Sequence, residues 1–351
     1  MSALLHHGDC LEVMRGMDAD SIDSIVTDPP YGLSFMGKGW DRGVPGAEYW
    51  SEALRIAKPG AHLVAFGGTR TYHRLACAIE DAGWEVRDCF VWAYGQGFPK
   101  SHDVSKAIDK AAGAERMIIA PDPHAARRNR ATPQFGGPAM NTYDPGYDGP
   151  LGRMAITAPA TDDARRWSGW GTALKPAWEP AVIARKRFRG TVAENVLRHG
   201  TGAINVDGCR VSGPMTGSWG GKQLSSIGFG GTVPSSYQTK AHDAGRWPAN
   251  LAHDGSPDVL DLFPRDAARF FYSAKASKAD RGACNTHPTV KPSELMAYVC
   301  RLVTPPGGLI LDPFMGSGST GIGALREGFR FAGIELDASY LEIARARLGA
   351  A

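Results

Sequence analysis

Leu309-Ile-Leu-Asp-Pro-Phe-Met-Gly-Ser-Gly-Ser-Thr-Gly321 reads as a short buried strand running straight into a glycine-rich turn and the start of a helix. Glycines there permit positive φ and close approach to the main chain, and amide N–H groups at a helix start can bind an anionic group. Within it, Gly316-Ser-Gly318-Ser-Thr-Gly321 matches GxGxxG, a weak signal alone. Context strengthens it: Glu335 ends the next predicted strand, 19 residues after Gly316, where an acid can take ribose hydroxyls. Only 16 residues follow Glu335, room for one helix. The remaining strands of the sheet must therefore come from the N-terminal part of the chain.

Outward from this turn the texture is that of an α/β domain. Ser293–Val303 has helical spacing and stops at Pro305-Pro-Gly-Gly308, while Thr320–Glu327 and Ala338–Leu348 are helix candidates around the strand Phe331–Glu335. Near the other end, Asp23–Thr27, Ala61–Phe66 and Trp84–Trp92 read as strands, with helices over Ala47–Ala57 and Thr71–Ala82. Such alternation predicts a mostly parallel sheet covered on both faces. Ala177–Arg185 reads as one more strand, its Pro180 suited to a sheet edge or a strand start. Around it lie two irregular stretches: 120–171, with basic clusters, and 200–250, with eleven glycines.

The chain has 351 residues, 44 of them glycine and 24 proline, and is 43% hydrophobic. That supports a sizeable core and excludes collagen, a coiled coil, a disordered chain and a small disulfide scaffold. The longest apolar runs fall far below the ~20 residues of a membrane span, and no secretory pattern opens the chain. Six scattered cysteines without a CxxC pair read as reduced thiols, with no metal site, and imply a cytoplasmic protein. The net charge of +3 conceals asymmetry: residues 1–100 carry −4, residues 101–290 carry +7, and the remainder is balanced. A basic middle flanked by neutral ends points to an insert that faces a polyanion.

A second motif stands at the end of the first predicted buried strand, Ile25-Val-Thr-Asp28-Pro29-Pro30-Tyr31. Ligands of open α/β sheets bind beyond the carboxyl ends of the strands. The proline pair stiffens the backbone, so the Asp28 carboxylate and the Pro29 carbonyl can converge as acceptors beside an aromatic face. Two acceptors and one ring suit a planar base bearing an exocyclic NH2.

With GDCLE (8–12), TDPPY (27–31), PGAHLVAF (59–66), HPTVKP (287–292), DPFMGSGSTG (312–321) and GIELD (333–337) in this order, the sequence resembles the permuted, beta-type DNA amino-methyltransferases. The resemblance covers residues 1–100 and 285–351 well and Ala177–Lys186 loosely. It implies an α/β fold, the Rossmann-like sheet of S-adenosylmethionine-dependent methyltransferases, circularly permuted, with an inserted target-recognition region. It also implies a division into 1–105 (catalytic half), 106–172 (basic insertion), 173–190 (a sheet strand), 191–283 (target recognition) and 284–351 (cofactor half). Asp28, Pro29, Pro30 and Tyr31 would be catalytic. Asp9 would contact the adenine ring of S-adenosyl-L-methionine and Glu335 its ribose. Asp312, Phe314, Gly316, Ser317 and Gly318 would border its methionine end, with Thr289 and Lys291 beside its carboxylate. Arg127, Arg128, Arg130, Lys186, Arg187 and Arg189 are candidates for DNA phosphates. Trp167 and Trp170 are read first as local packing and second as base-stacking groups.

The implied reaction is direct methyl transfer to an amino nitrogen of a base flipped out of double-stranded DNA. Aspartate at the first motif position favours adenine N6 over cytosine N4. The resemblance also allows a homodimer and a cognate restriction endonuclease as partners, and implies no membrane association. RNA and protein methyltransferases with a related NPPY, a nicotinamide oxidoreductase and a non-catalytic DNA-binding module are alternatives. Asp28 and the motif order count against the first, and the unused DPPY and HPTVKP against the second. Intact Asp28 and Glu335 count against the third.

Overall fold

The computed structural model describes residues 3–33, 43–95, 97, 101–121, 155–211, 245–263, 267–274, 285–287 and 290–349. In chain order the strands are β1 (Ala3–His7), β2 (Ile22–Thr27), β3 (Ala57–Phe66), β4 (Glu85–Ala93), β5 (Ile118–Pro121), β6 (Ala155–Thr157), β7 (Trp178–Arg185), β8 (Leu251–His253), β9 (Tyr272–Ser273), β10 (Leu309–Asp312) and β11 (Arg330–Glu335). The helices are α1 (Cys10–Arg15), α2 (Ala47–Ile56), α3 (Tyr72–Asp81), α4 (Val104–Ala111), α5 (Asp162–Arg166), α6 (Val192–His199), α7 (Pro257–Leu260), α8 (Ser293–Val303), α9 (Ser319–Arg326) and α10 (Ala338–Gly349). The chain forms two compact units, residues 1–96 with 177–351, and residues 97–176.

The larger unit holds a nine-stranded sheet in the order β1-β11-β10-β2-β3-β7-β4-β8-β9. The C-terminal pair β10 and β11 lies between β1 and β2: Leu5 is opposite Gly333, and Leu311 is opposite Ile25. The first and last strands of the chain thus build one sheet. Side chains stitch the seam, with Thr27 Oγ1 donating to Asp312 Oδ1 at 2.6 Å and Leu309 N donating to Asp23 Oδ2 at 2.7 Å. β7 pairs antiparallel with β3 and β4, and the other neighbours pair parallel.

Alternating strand residues point to opposite faces, and each face has its own core. Val26, Val64, Ile183, Ile310 and Phe331 meet Leu295, Met296, Val299 and Ile322 of α8 and α9. Ile25, Leu63, Val182, Leu311 and Ile334 meet Met14, Trp50, Ile56, Leu75 and Ile79 of α1, α2 and α3. Burial of each such large side chain stabilises the fold by about 1.5–3 kcal/mol relative to exposure.

Pro180 lies inside the sheet, which corrects the edge alternative and agrees with a strand start. It faces Val91, its carbonyl accepts from Gly67 N at 2.9 Å, and β3 has already ended at Phe66. Its missing N–H would have faced Gly67, one residue beyond the end of β3, so the gap falls at the margin of the ladder. The interval 191–283 also differs from expectation, because β8 and β9 within it extend the same sheet.

The unit 97–176 contains α4, the two-stranded sheet β5–β6 and α5. Its centre is polar: buried Asp109 pairs with Arg116 at 2.5 Å and accepts from Ala160 N, Thr161 N and Thr161 Oγ1. Trp167 and Trp170 pack edge to face at 5.1 Å yet remain 39% and 61% exposed, so local packing uses only part of each ring.

Candidate active site at the carboxyl rim of the sheet

Parallel strands deliver their carboxyl ends to one rim, and the reversed β7 delivers its amino end to the same rim. Asp9, Asp28, Asp312 and Glu335 therefore share a rim with Glu179, the second residue of β7.

On one side stands the glycine turn. Gly316 (φ +54°) and Gly318 (φ +84°) adopt left-handed backbone, and a Cβ on Gly316 would come within 3.0 Å of His287 Nε2. Gly316 N donates to Glu335 Oε2 at 2.8 Å, and Asp337 N donates to Oε1 at 2.8 Å. Each Glu335 oxygen keeps a lone pair for a further donor; burial pushes this carboxyl above its ordinary range. Ser317 is held from behind by Asn285 and by the guanidinium of Arg347. Phe314 is half-buried, with Tyr49 and Trp50 at 6.2 and 6.1 Å between ring centroids. Asp312 is fully enclosed, and burial pushes its carboxyl up to about 6 against the hydrogen bonds from Thr27, Thr320 and Phe314 N. Asp9 caps α1 through Leu11 N and Glu12 N while remaining exposed. Burial and the neighbouring Asp9 push the Cys10 thiol up to about 12, so it stays protonated and unreactive.

On the other side stands the DPPY segment. Lys291 is almost wholly enclosed, and its Nζ lies 2.9 Å from both oxygens of Asp28, 2.8 Å from Glu179 Oε2 and 2.8 Å from the Tyr31 hydroxyl oxygen. The Tyr31 hydroxyl in turn donates to Asp28 Oδ1 at 2.8 Å, with Glu179 Oε2 at 3.2 Å. The ammonium also sits 5.2 Å from the Phe66 ring centre. Burial alone would favour neutral lysine, but Asp28 and Glu179 reverse this and raise its pKa above the ordinary value. Burial and the same two carboxylates raise the Tyr31 hydroxyl. Asp28 keeps about a quarter of its side chain open to solvent (25%), so an outside donor can reach it.

Several expected roles meet a different placement. Lys291 spends its ammonium on Asp28, Glu179 and Tyr31, which places it in the DPPY half of the rim. Lys186 is bound to Asp20 and to the Ala57 carbonyl, both at 2.7 Å. Because β7 runs backwards, Lys186, Arg187 and Arg189 follow its far end, about 20 Å along the strand from Glu179. Thr289, Arg127, Arg128 and Arg130 lie outside the described residues. Sequence reading missed Glu179. The available signal was its place at the start of a strand that, if reversed, opens at this rim.

The charges discriminate between S-adenosylmethionine and the dinucleotide that a nicotinamide oxidoreductase would bind. Asp312 and Glu335 end their strands, Asp9 and Asp337 follow two residues after β1 and β11, and Arg347 is engaged with Ser317. A pyrophosphate there would meet excess negative charge. A ligand with ribose hydroxyls, a sulfonium and an ammonium suits it, and these are the groups of S-adenosylmethionine. Among the described residues no cluster could hold a metal ion, and no helix is long and apolar enough to cross a membrane.

Comparison with known proteins agrees. The family model described as DNA methylase, of the N6/N4 class, matches residues 22–346. The type II methyltransferase M.HindIII of Haemophilus influenzae is 22% identical over a 391-residue alignment covering 98% of this chain and 94% of the relative. The type II methyltransferase M2.DpnII of Streptococcus pneumoniae is 52% identical over 64 residues, which is 18% of this chain and 24% of that protein. The solved structure of the PvuII DNA methyltransferase, cytosine-N4-specific, shares the fold at a TM-score of 0.50 and 15% identity, covering 99% of this chain and 86% of that one. The chain accordingly belongs to the N6/N4 DNA methylases, S-adenosylmethionine-dependent enzymes that methylate exocyclic amino groups of DNA bases.

Proposed function

We propose that this DNA amino-methyltransferase acts on adenine N6, with Asp28 and the Pro29 carbonyl as the acceptors that hold the amino group. The observation that carries the reading is Asp28 itself, fixed by Lys291 and Tyr31 on the rim that also carries the glycine turn, yet open to an incoming donor. When bound, S-adenosylmethionine supplies a methyl group on a positively charged sulfur. Glu335 would bind its ribose hydroxyls, Asp312 and the 316–318 backbone would border its methionine end, and Asp9 its adenine.

The amino nitrogen is a weak nucleophile because its lone pair is delocalised into the ring. Two acceptors on its N–H bonds draw it toward tetrahedral geometry and stabilise the positive charge that grows on it, a preorganised electrostatic contribution of several kcal/mol. Fixed geometry between the methyl carbon and the nitrogen contributes much of the remainder. Tyr31 offers a ring for stacking the extruded base, and flipping costs a few kcal/mol. The basic middle of the chain would hold phosphates, which position the duplex without reading its sequence. The scattered cysteines support a cytoplasmic setting, and the resemblance supports a homodimer and a cognate restriction endonuclease, with light scattering as the test of the dimer.

Modified-base sequencing of DNA from cells that express the chain tests the assignment. N6-methyladenine at one short motif is expected. N4-methylcytosine would move the target to cytosine, and label transferred to RNA or protein instead of DNA would remove the reading.

A further inference from the structure

The DPPY half of the rim holds one more carboxylate than its motif requires. Glu179 comes from β7, far from Asp28 in sequence, and shares the Lys291 ammonium with it at 2.8 against 2.9 Å. Without Glu179, the ammonium would belong to Asp28 alone and cancel its charge. A cancelled carboxylate accepts weakly from an amine and does little for a nitrogen that becomes positive. Without Lys291 the opposite fault arises, since two carboxylates this close compete for one proton. Two carboxylates around one ammonium leave a net charge of −1 beside the only one of the two that the DPPY motif aims at the base.

We propose that Glu179 is a positioning residue for methyl transfer: by taking part of the Lys291 ammonium it leaves the negative charge of Asp28 only partly cancelled, with the carboxylate oriented and free to accept from the target amine. The proposal rests on the reading of Asp28 given above. The titratable groups facing Asp28 are Lys291 from the segment before α8, Glu179 from β7, Tyr31 from its own loop and Asp312 from β10, with Tyr94 after β4 against Glu179. Burial and Glu179 push the Tyr94 hydroxyl up to about 12, so both tyrosines stay neutral donors in the working range. The atoms balance simply. The S–CH3 bond breaks as the N–CH3 bond forms, one N–H proton leaves the methylated nitrogen for Asp28 or water, and neither Lys291 nor Glu179 forms a bond.

The test is single-turnover methylation of duplex DNA against pH for wild type, Glu179→Gln, Lys291→Met, the double variant and Asp28→Asn, with S-adenosylhomocysteine affinity measured in each. Glu179→Gln is expected to slow methyl transfer about 10- to 100-fold with cofactor affinity kept, and to move the acid limb to lower pH. Lys291→Met should move that limb to higher pH, and the double variant should return it toward wild type while recovering part of the rate at neutral pH. Opposite shifts that cancel in the double variant are outside the reach of a purely structural role. A Glu179→Gln rate within twofold of wild type, or limbs that move in the same direction, would overturn the proposal. If Asp28→Asn is inactive while Glu179→Gln is normal, the proposal alone fails. If Asp28→Asn methylates normally, the underlying reading fails with it.

Discussion

The two halves of the rim solve different problems with different materials. Around β10, β11 and β1 the site is built from backbone: left-handed glycines, amides that donate to Glu335, and a carboxylate that caps a helix. Around β2, β3, β7 and β4 it is built from buried charge, with one ammonium shared by two carboxylates and a phenol. A backbone cradle binds a constant ligand and tolerates only local change. A charge cluster sets the reactivity of one group and feels every member. The comparison teaches that ground-state cofactor binding and methyl transfer should separate cleanly under mutation.

The largest expected effect lies in the charged half. Asp28→Asn should lower kcat by about 100- to 1000-fold while calorimetry finds S-adenosylhomocysteine affinity unchanged. In the backbone half, Glu335→Gln should weaken that affinity about 10- to 100-fold, with kcat at saturating cofactor largely retained. If the two variants fail to separate, the division of the rim is wrong. Gly316→Ala places a Cβ against His287 at a positive φ, and a severalfold loss of cofactor affinity is expected from the displaced turn.

A smaller effect concerns pH. The Asp312 carboxyl, raised from 3.8 to about 6, binds its proton more tightly folded than unfolded. Its contribution to stability is therefore fully present below pH 4 and is lost as pH rises through about 6. Relative to wild type, Asp312→Asn should gain a few degrees in Tm between pH 5 and 8, and an equal difference at every pH would refute this. Smallest of all, alkylation of exposed Cys77 should leave activity untouched, while buried Cys10 resists modification.

The backbone half was legible because its parts are contiguous: Leu309–Gly321 carries strand, turn and helix start together, and Glu335 follows one strand later. The helix and strand bounds around it fall within a few residues of expectation, since long apolar periods mark them. β8 and β9 escaped notice because strands of three and two residues are too short to show a period. The charged half was only partly legible. Asp28 announces itself through the prolines after it. Glu179 stands in AWEP with no local mark, and only the reversal of β7 carries it to Asp28. The same reversal carries Arg187 and Arg189 to the opposite end of β7 from Glu179.

The central claim is that Asp28 supports methylation of an exocyclic amino group in DNA. Its most direct test is base-resolved analysis of DNA from cells expressing the wild-type chain or Asp28→Asn. Our account predicts N6-methyladenine at one motif with the wild type and its absence with the variant. Amino-methylated DNA at wild-type levels in the Asp28→Asn cells would contradict it.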